Sequence, residues 1–98
     1  MKAQGTAPGP LFPLGRVLAT PHALAVLEDH GVLPASLLHR HVGGDWGEVC
    51  EEDAQANQDA LRGGLRLLSS YRLADGVKVW LITEADRSST TLLMPEDY

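Results

Sequence analysis

Residues 65–94 read LRLLSSYRLADGVKVWLITEADRSSTTLLM, and this stretch decides the fold. Apolar and polar side chains alternate along it, which is the pattern of β-strands with one buried face. The segments 74–76 and 86–89 are rich in turn-forming residues and divide the stretch into three runs. Pro95 ends the third run, because proline cannot donate a hydrogen bond to a neighbouring strand. The stretch therefore predicts a three-stranded antiparallel meander.

The part of the chain before this stretch has the 3.6-residue period of helices. Thr20-Pro21 has the residue types of a helix N-cap and first turn, and Gly31 can end that helix in a left-handed conformation. Pro34 begins a second, shorter helix that closes at Gly43-Gly44. A short strand over residues 16–19 can pair onto an edge of the meander. Helices followed by a run of strands indicate the α+β class.

A third helix is predicted from Asp45 to Leu61, and its apolar stripe contains two polar side chains. The segment 45–48 has the spacing of a capping box at the start of this helix. Asp53 and Asn57 lie one turn apart on the stripe, where the helical period favours apolar residues. A buried carboxylate or amide costs free energy unless it is hydrogen-bonded. The two residues therefore mark either a structural polar network or a functional cleft.

The length of 98 residues allows one domain. We expect residues 14–98 to form it, and residues 1–13, rich in proline and glycine, to form a flexible tail. No apolar run is long enough to span a bilayer, and the first residues lack the apolar segment of a signal peptide. The single cysteine, Cys50, precludes an internal disulfide and fits a reducing compartment. The sequence predicts a cytoplasmic protein without membrane association.

The formal net charge is −5, and the acidic residues are unevenly distributed. The segment 45–53 contains no base, and its acids are Asp45, Glu48, Glu51, Glu52 and Asp53. Non-specific nucleic-acid binding depends on Lys and Arg, so we expect no nucleic-acid partner. The acidic segment indicates a basic protein partner, a metal, or simply a solvated helix start.

His39, His41 and Cys50 supply the elements of a metal site or of a Cys–His pair, but their spacing does not favour either. Two histidines at positions i and i+2 of a helix point to different faces, whereas helical metal sites use i and i+4. Cys50 lies on the predicted apolar stripe, where a small core residue belongs. The chain has no glycine-rich phosphate loop and no serine in a nucleophile elbow. We therefore predict no metal and no cofactor, with the histidines as capping or surface residues.

The central strand of the meander is apolar on both faces. Val79 and Leu81 alternate with Trp80 and Ile82 along it. Three helices can cover one face of the sheet, so the other face needs the N-terminal strand, a second chain or a target. This is the main sequence-level reason to expect a partner.

The densest polar segment is 83–90, which a hairpin turn with exposed charges would explain. Its functional alternative is a pair of carboxylates at one end of the sheet. If the third helix packs on the face that bears Trp80, then Asp53, Asn57, Arg66 and Glu84 converge. A network of that kind can be structural or catalytic. The candidate binding residues are Asp45, Trp46, Glu51, Glu52, Asp53, Asn57, Glu84 and Arg87.

Several short motifs carry a resemblance to a known family. They are the segments 19–21, 41–47, 52–53 with Asn57, 70–71, 80–88, 90–91 and 95–98, which include Gly-Asp-Trp-Gly and Thr-Glu-Ala-Asp-Arg-Ser. Through them the chain resembles, from Leu14 to Tyr98, a small bacterial family labelled "plasmid-related protein" or restriction-system subunit. The resemblance implies a setting near plasmids and integrated islands, and it implies no activity, cofactor or catalytic residue. A methyltransferase domain with its cofactor motifs does not fit within 98 residues.

Two functions remain as hypotheses. The first is a small acidic protein-interaction module, an accessory or inhibitor protein of a mobile genetic element. The second is a small hydrolase-like enzyme with a polar pocket at Asp53, Asn57 and Glu84. We favour the first because the chain lacks a catalytic signature. A homodimer that uses the open sheet face as its interface is compatible with both.

Overall fold

The computed structural model describes residues 9–98 and has the α+β class predicted from the sequence. Its elements are strand β1 (Arg16–Ala19), helices α1 (Pro21–Asp29), α2 (Pro34–Val42) and α3 (Glu51–Gly63), strands β2 (Leu67–Arg72), β3 (Lys78–Thr83) and β4 (Ser89–Leu93), and a 3-10 turn over Pro95–Asp97. In this part of the chain no helix has the length and apolar character needed to cross a membrane.

The four strands form one mixed sheet in the order β1-β4-β3-β2. Strands β2, β3 and β4 pair antiparallel, which confirms the predicted meander. Strand β1 pairs parallel with β4, and this places Val17 opposite Thr90 and Ala19 opposite Leu92. The N-terminal strand therefore forms one edge of the sheet, and β2 forms the other.

Helices α1 and α2 cover one face of the sheet. The core on this face joins Leu27 of α1 and Leu37 of α2 to Tyr71, Leu81 and Leu92 of the strands, and all five side chains are buried. Successive side chains of a strand point to opposite faces, so residues two positions apart share this core. In a second, smaller core, Ala60 of α3 packs with Leu67 at the start of β2.

The opposite face of the sheet carries Trp80 and its neighbours. Leu68, Trp80, Ile82 and Tyr98 line one shallow groove there, and we call these four residues the Trp80 face. The ring of Tyr98 lies edge-on to the ring of Trp80, with 5.9 Å between their centroids. The face is bordered by the start of α3 and by the C-terminal 3-10 turn, whereas α1 and α2 pack on the other side. Helices α1 and α2 thus do not cover this face, but it is not fully open: Ile82 is only 8% exposed, and Leu68 and Trp80 are half-buried.

Helix α3 begins at Glu51, so the predicted start at Asp45 is wrong. The segment 45–50 is instead a loop in which Asp45 Oδ1 accepts a hydrogen bond from the N–H of Gly47 at 3.1 Å. Gly47 has a φ of 73° and pairs with Ser70 of β2. The spacing that resembles a capping box therefore serves a turn that lies along the sheet.

The outer edge of β2 is closed by hydrogen bonds from this loop and from α3. Ser70 N–H donates to the carbonyl of Trp46 at 3.0 Å, and the N–H of Glu48 donates to the Ser70 carbonyl at 2.6 Å. Two residues earlier along the strand, the side-chain amide of Asn57 pairs with the N–H and C=O of Leu68. An edge strand that is paired in this way cannot recruit another strand.

The sequence predicts a flexible tail over residues 1–13, but the structure differs from this prediction at Phe12. Residues 1–8 lie outside the described residues, but Phe12 is only 6% exposed. Its ring stacks on Trp46, with 6.2 Å between centroids, and meets the edge of His41 at 5.1 Å. Phe12 therefore belongs to the folded domain, because it completes the core beside α3.

Candidate functional site

His41 is fully buried, so the expectation of a capping or surface histidine is wrong for this residue. His41 is 0% exposed. Its Nδ1 lies 2.6 Å from the hydroxyl of Ser69, and its Nε2 lies 2.8 Å from the hydroxyl of Thr83. The Thr83 hydroxyl lies 2.7 Å from that of Thr90, which donates to the carbonyl of Leu14 at 2.8 Å. The sequence periodicity did not predict this chain of hydrogen bonds.

The surroundings of His41 give it a structural role. Burial lowers the pKa of the His41 imidazole to about 4, so the ring is neutral at pH 7. The aromatic rings of Phe12 and Trp46 pack against it. Both ring nitrogens are occupied by hydroxyl partners, and the ring is closed to solvent. A zinc site that combines His41 with Cys50 is therefore not formed.

Two of the acids in the segment 45–53 are neutralised by arginines. Asp45 accepts a hydrogen bond from Arg40 Nε at 2.7 Å, and this hydrogen bond lowers the pKa of Asp45. The Arg40 guanidinium also lies 4.5 Å from the centre of the Tyr71 ring. Glu48 pairs with Arg72 at 3.0 Å. These contacts attach the loop to the sheet, and exposed pairs of this kind contribute little further stability.

The other three acids, Glu51, Glu52 and Asp53, form the exposed first turn of α3. No ion pair among residues 9–98 involves them. Cys50 is the N-cap of this helix, and its sulfur accepts a hydrogen bond from the Asp53 N–H at 3.4 Å. Negative charge at a helix N-terminus stabilises the helix through its dipole. These acids therefore combine a stabilising position with an accessible surface.

The first turn of α3 stands between two open grooves. Glu51 and Glu52 line a groove of about 600 Å³ beside Trp46, whose own side chain is almost fully buried. Asp53 lines a second groove of about 370 Å³ that reaches Trp80. The predicted site residues are thus distributed over two sides of the same helix.

Asn57 is fully committed to the backbone of β2. It is 2% exposed, its Nδ2 donates to the Leu68 carbonyl at 2.7 Å, and its Oδ1 accepts from the Leu68 N–H at 3.0 Å. The side chain thus replaces a neighbouring strand at this position. Of the two roles that the sequence left open for Asn57, these contacts support the structural one.

Replacing Asn57 by alanine is expected to lower the free energy of unfolding by roughly 2–3 kcal/mol, because the N–H and C=O of Leu68 lose their partners. Replacing the exposed Asp53 by alanine is the matched control and should cost less than about 1 kcal/mol, the value of its interaction with the helix dipole. Urea unfolding followed by circular dichroism measures both. Equal losses for the two variants would contradict the assignment of Asn57.

Glu84 is held by Arg66 in a two-point ion pair. Arg66 Nε lies 3.3 Å from Glu84 Oε1, and the second pair of atoms lies 3.2 Å apart. Arg66 also donates to the phenolic oxygen of Tyr98 at 3.1 Å. Arg66 therefore bridges Glu84 and Tyr98 and holds the Tyr98 ring beside Trp80.

Arg87 holds the β3–β4 turn against the end of α3. Its guanidinium donates to the carbonyls of Ala60 at 2.8 Å and Leu65 at 2.6 Å, and also to those of Glu84 and Ala85. Its φ of 62° makes it the one non-glycine residue of the described chain with a left-handed backbone. The network of contacts maintains this unfavourable conformation.

Asp53, Asn57 and Glu84 do not converge into one pocket. Asp53 lines the groove at the start of α3. Asn57 lies on the buried side of the same helix, where it bonds to the backbone of Leu68. Glu84 pairs with Arg66 beyond the other end of β3. What the structure does bring together is an apolar surface around Trp80, with Asp53 on one side and the Arg66–Glu84 pair on the other.

Comparison of the chain with protein-family models, curated proteins and solved structures finds no match.

Proposed function

We propose that this protein is a small binding module that holds a segment of a partner protein against the Trp80 face and the acidic start of α3. The observation that carries the proposal is the position of Trp80. Its side chain lies between two grooves, of about 370 and 320 Å³, on the side of the sheet that α1 and α2 leave uncovered. Large aromatic side chains in such positions are frequent anchors of protein interfaces.

The charge around the face indicates the chemistry of the partner segment. Asp53 borders Trp80, and Glu51 and Glu52 precede it in the exposed first turn of α3. Asp53 and Lys78 line the same groove, whereas Glu51 and Glu52 line the groove on the other side of the helix start. The first turn of α3 as a whole carries three acids, in a chain with a net charge of −5. Acidic surfaces of this kind attract basic partners and orient them. The partner segment therefore carries apolar side chains for Trp80 and Lys or Arg for the carboxylates.

The contacts give less support to the hydrolase hypothesis. A general acid or base must reach the substrate. Asn57 has both polar atoms bonded to Leu68, and Glu84 has both oxygens bonded to Arg66. Binding through the Trp80 face needs neither residue to be released.

The biological setting of the partner is a hypothesis that rests on the sequence resemblance. If the family association holds, the partner belongs to host machinery on which a mobile element acts, and the protein is its accessory or inhibitor. A cytoplasmic location is expected from the single cysteine.

Two tryptophans make the proposal directly testable by NMR. The probes are two synthetic peptides of twelve residues that alternate leucine with lysine in one case and with glutamate in the other. We expect the lysine peptide to shift the indole signal of Trp80 more than that of Trp46, whose side chain is 6% exposed. The glutamate peptide should bind at least tenfold more weakly. Equal binding of both peptides, or binding that leaves Trp80 unchanged, would contradict the proposal.

Charge reversal tests the acidic component separately. The triple variant Glu51→Lys, Glu52→Lys, Asp53→Lys should lose at least tenfold in affinity for the lysine peptide. A matched variant with Glu28→Lys, Asp29→Lys and Asp59→Lys changes the net charge equally but lies away from the Trp80 face, and it should bind nearly as the native protein does. Circular dichroism and melting temperature establish that both variants fold. Loss of binding in both would indicate a general charge effect instead of a site.

A further inference from the structure

The two edges of the sheet differ in a way that has a consequence for assembly. The outer edge of β2 is closed by Asn57 and by the loop over residues 46–48. The outer edge of β1 has no such cover among residues 9–98. Val17 and Leu18 on this edge strand are 48% and 42% exposed, so apolar side chains border the open edge on both faces of the sheet.

The hydrogen bonds of β1 define which of its backbone groups face outward. Arg16 N–H donates to the Ser88 carbonyl at 2.9 Å, and Thr20 N–H donates to the Leu92 carbonyl at 2.9 Å. Because backbone direction alternates along a strand, Leu18 faces β4 like these two residues. The N–H and C=O groups of Val17 and Ala19 therefore point away from the sheet.

We propose that β1 pairs antiparallel with β1 of a second copy of this chain, which joins two sheets into one of eight strands. Val17 of each copy pairs with Ala19 of the other, and the two-fold axis passes between the two Leu18 residues. This register uses all four outward-facing backbone groups of each copy, so it forms four hydrogen bonds across the interface. The two Leu18 side chains then lie next to each other on the same face.

Charge complementarity supports this register over pairing with an unrelated strand. In it, Arg16 of one copy lies opposite Thr20 of the other, on the same face as Leu18. The Thr20 hydroxyl donates to Asp97 Oδ2 at 2.8 Å, so the Asp97 carboxylate stands beside the position that Arg16 reaches. Arg16 has no ion pair within the described chain. Because the dimer has two-fold symmetry, Arg16 of each copy lies near Asp97 of the other, so this contact between opposite charges occurs twice.

The pairing would also place both Trp80 faces on one side of the joined sheet. Side chains that are directly opposite across an antiparallel pair share a face, so Leu18 fixes the relative orientation of the copies. Five strand spacings separate the two β3 strands, a distance of about 24 Å across the sheet. The β1 edge lies outside the Trp80 face as defined above, so dimerisation and peptide binding can each fail while the other holds.

Sedimentation velocity from 1 µM to 1 mM tests the proposal on the full chain. We expect a dimer that dissociates on dilution. Val17→Pro removes an outward N–H and leaves the bonds to β4, and it should be monomeric over the whole range. Arg16→Glu should raise the dissociation constant at least tenfold, because it places a carboxylate near Asp97. Arg62→Glu makes the same charge change at the end of α3 and should leave the dissociation constant unchanged.

Amide exchange measured by NMR locates the interface and does not depend on a variant that folds. The Val17 and Ala19 amides of the native protein should exchange more slowly at high protein concentration than at low concentration. The Arg16 and Thr20 amides, which already bond to the carbonyls of Ser88 and Leu92, should be protected at both concentrations. A protein that stays monomeric at 1 mM overturns the proposal. A dimer that survives Val17→Pro, with Val17 and Ala19 still exchanging rapidly in the native protein, overturns it as well.

Discussion

Lowering the pH from about 6.5 to about 4 is expected to remove about 3 kcal/mol from the free energy of unfolding through His41 alone. Burial lowers the pKa of His41 to about 4 in the folded protein, whereas the ordinary value is 6.5. Between these two pH values, His41 is protonated in the unfolded chain but stays neutral in the folded protein. Unfolding is therefore favoured increasingly as the pH falls, and the stability that neutral His41 provides is complete only above pH 6.5.

Urea unfolding at half-unit intervals from pH 7.5 to 4 measures this dependence. His41→Gln keeps a polar side chain without a titrating ring, and it should lose most of the pH dependence in this range. Two other histidines act in the opposite direction. A hydrogen bond with Asp97 raises the pKa of His22, and hydrogen bonds with the Val26 carbonyl and with Asp75 raise the pKa of His30. The comparison with His41→Gln cancels their contribution. NMR can follow each imidazole, and a His41 ring that titrates above pH 6 in the folded protein would contradict the assignment.

Replacing Gly47 by alanine is expected to destabilise the protein by about 3 kcal/mol or more, because a left-handed backbone and a steric overlap both oppose the new Cβ. Gly47 has a φ of 73°, and an added Cβ would overlap the Ser70 carbonyl and lie 2.7 Å from Cδ1 of Tyr71. The loop would have to leave β2, and the bonds that close this edge would break with it. Thermal unfolding followed by circular dichroism measures the loss.

Gly31→Ala is the matched control for this substitution. Gly31 has a φ of 66°, but an added Cβ would have no heavy atom within 4 Å. Only the backbone cost remains, so the expected loss is about 1 kcal/mol. A similar loss at both glycines would mean that the approach of the loop to β2 contributes nothing to stability.

The sequence was sufficient to predict those helices and strands whose patterns depend on neighbouring residues alone. The alternation over residues 65–94 predicted the meander, and the proline and glycine positions predicted α1 and α2. The start of α3 was predicted wrongly because the spacing of Asp45 and Glu48 suits both a capping box and a turn along a strand. Pairing with Ser70 decides between them, and that contact joins residues far apart in the chain.

In the candidate site too, features of a single element could be predicted from the sequence, whereas contacts between distant parts of the chain could not. The anomaly at Asn57 was visible in the sequence, but its partner is a backbone position on β2 that no helical pattern specifies. His41 escaped notice although Ser69 and Thr83 interrupt the apolar phase of their strands, which is a usable signal for a buried polar network. The two-sided apolar pattern of β3 can be recognised from the sequence because it depends on one strand only.

The contacts of Arg87 link the end of α3 to the β3–β4 turn, and this has a consequence for how the molecule opens. One guanidinium bonds to carbonyls on both segments, Ala60 and Leu65 on one and Glu84 and Ala85 on the other. Neither segment can fray without breaking the same set of bonds. The last turn of α3 and the hairpin end should therefore unfold together as one cooperative unit, with a common opening free energy, although more than 20 residues of chain separate them.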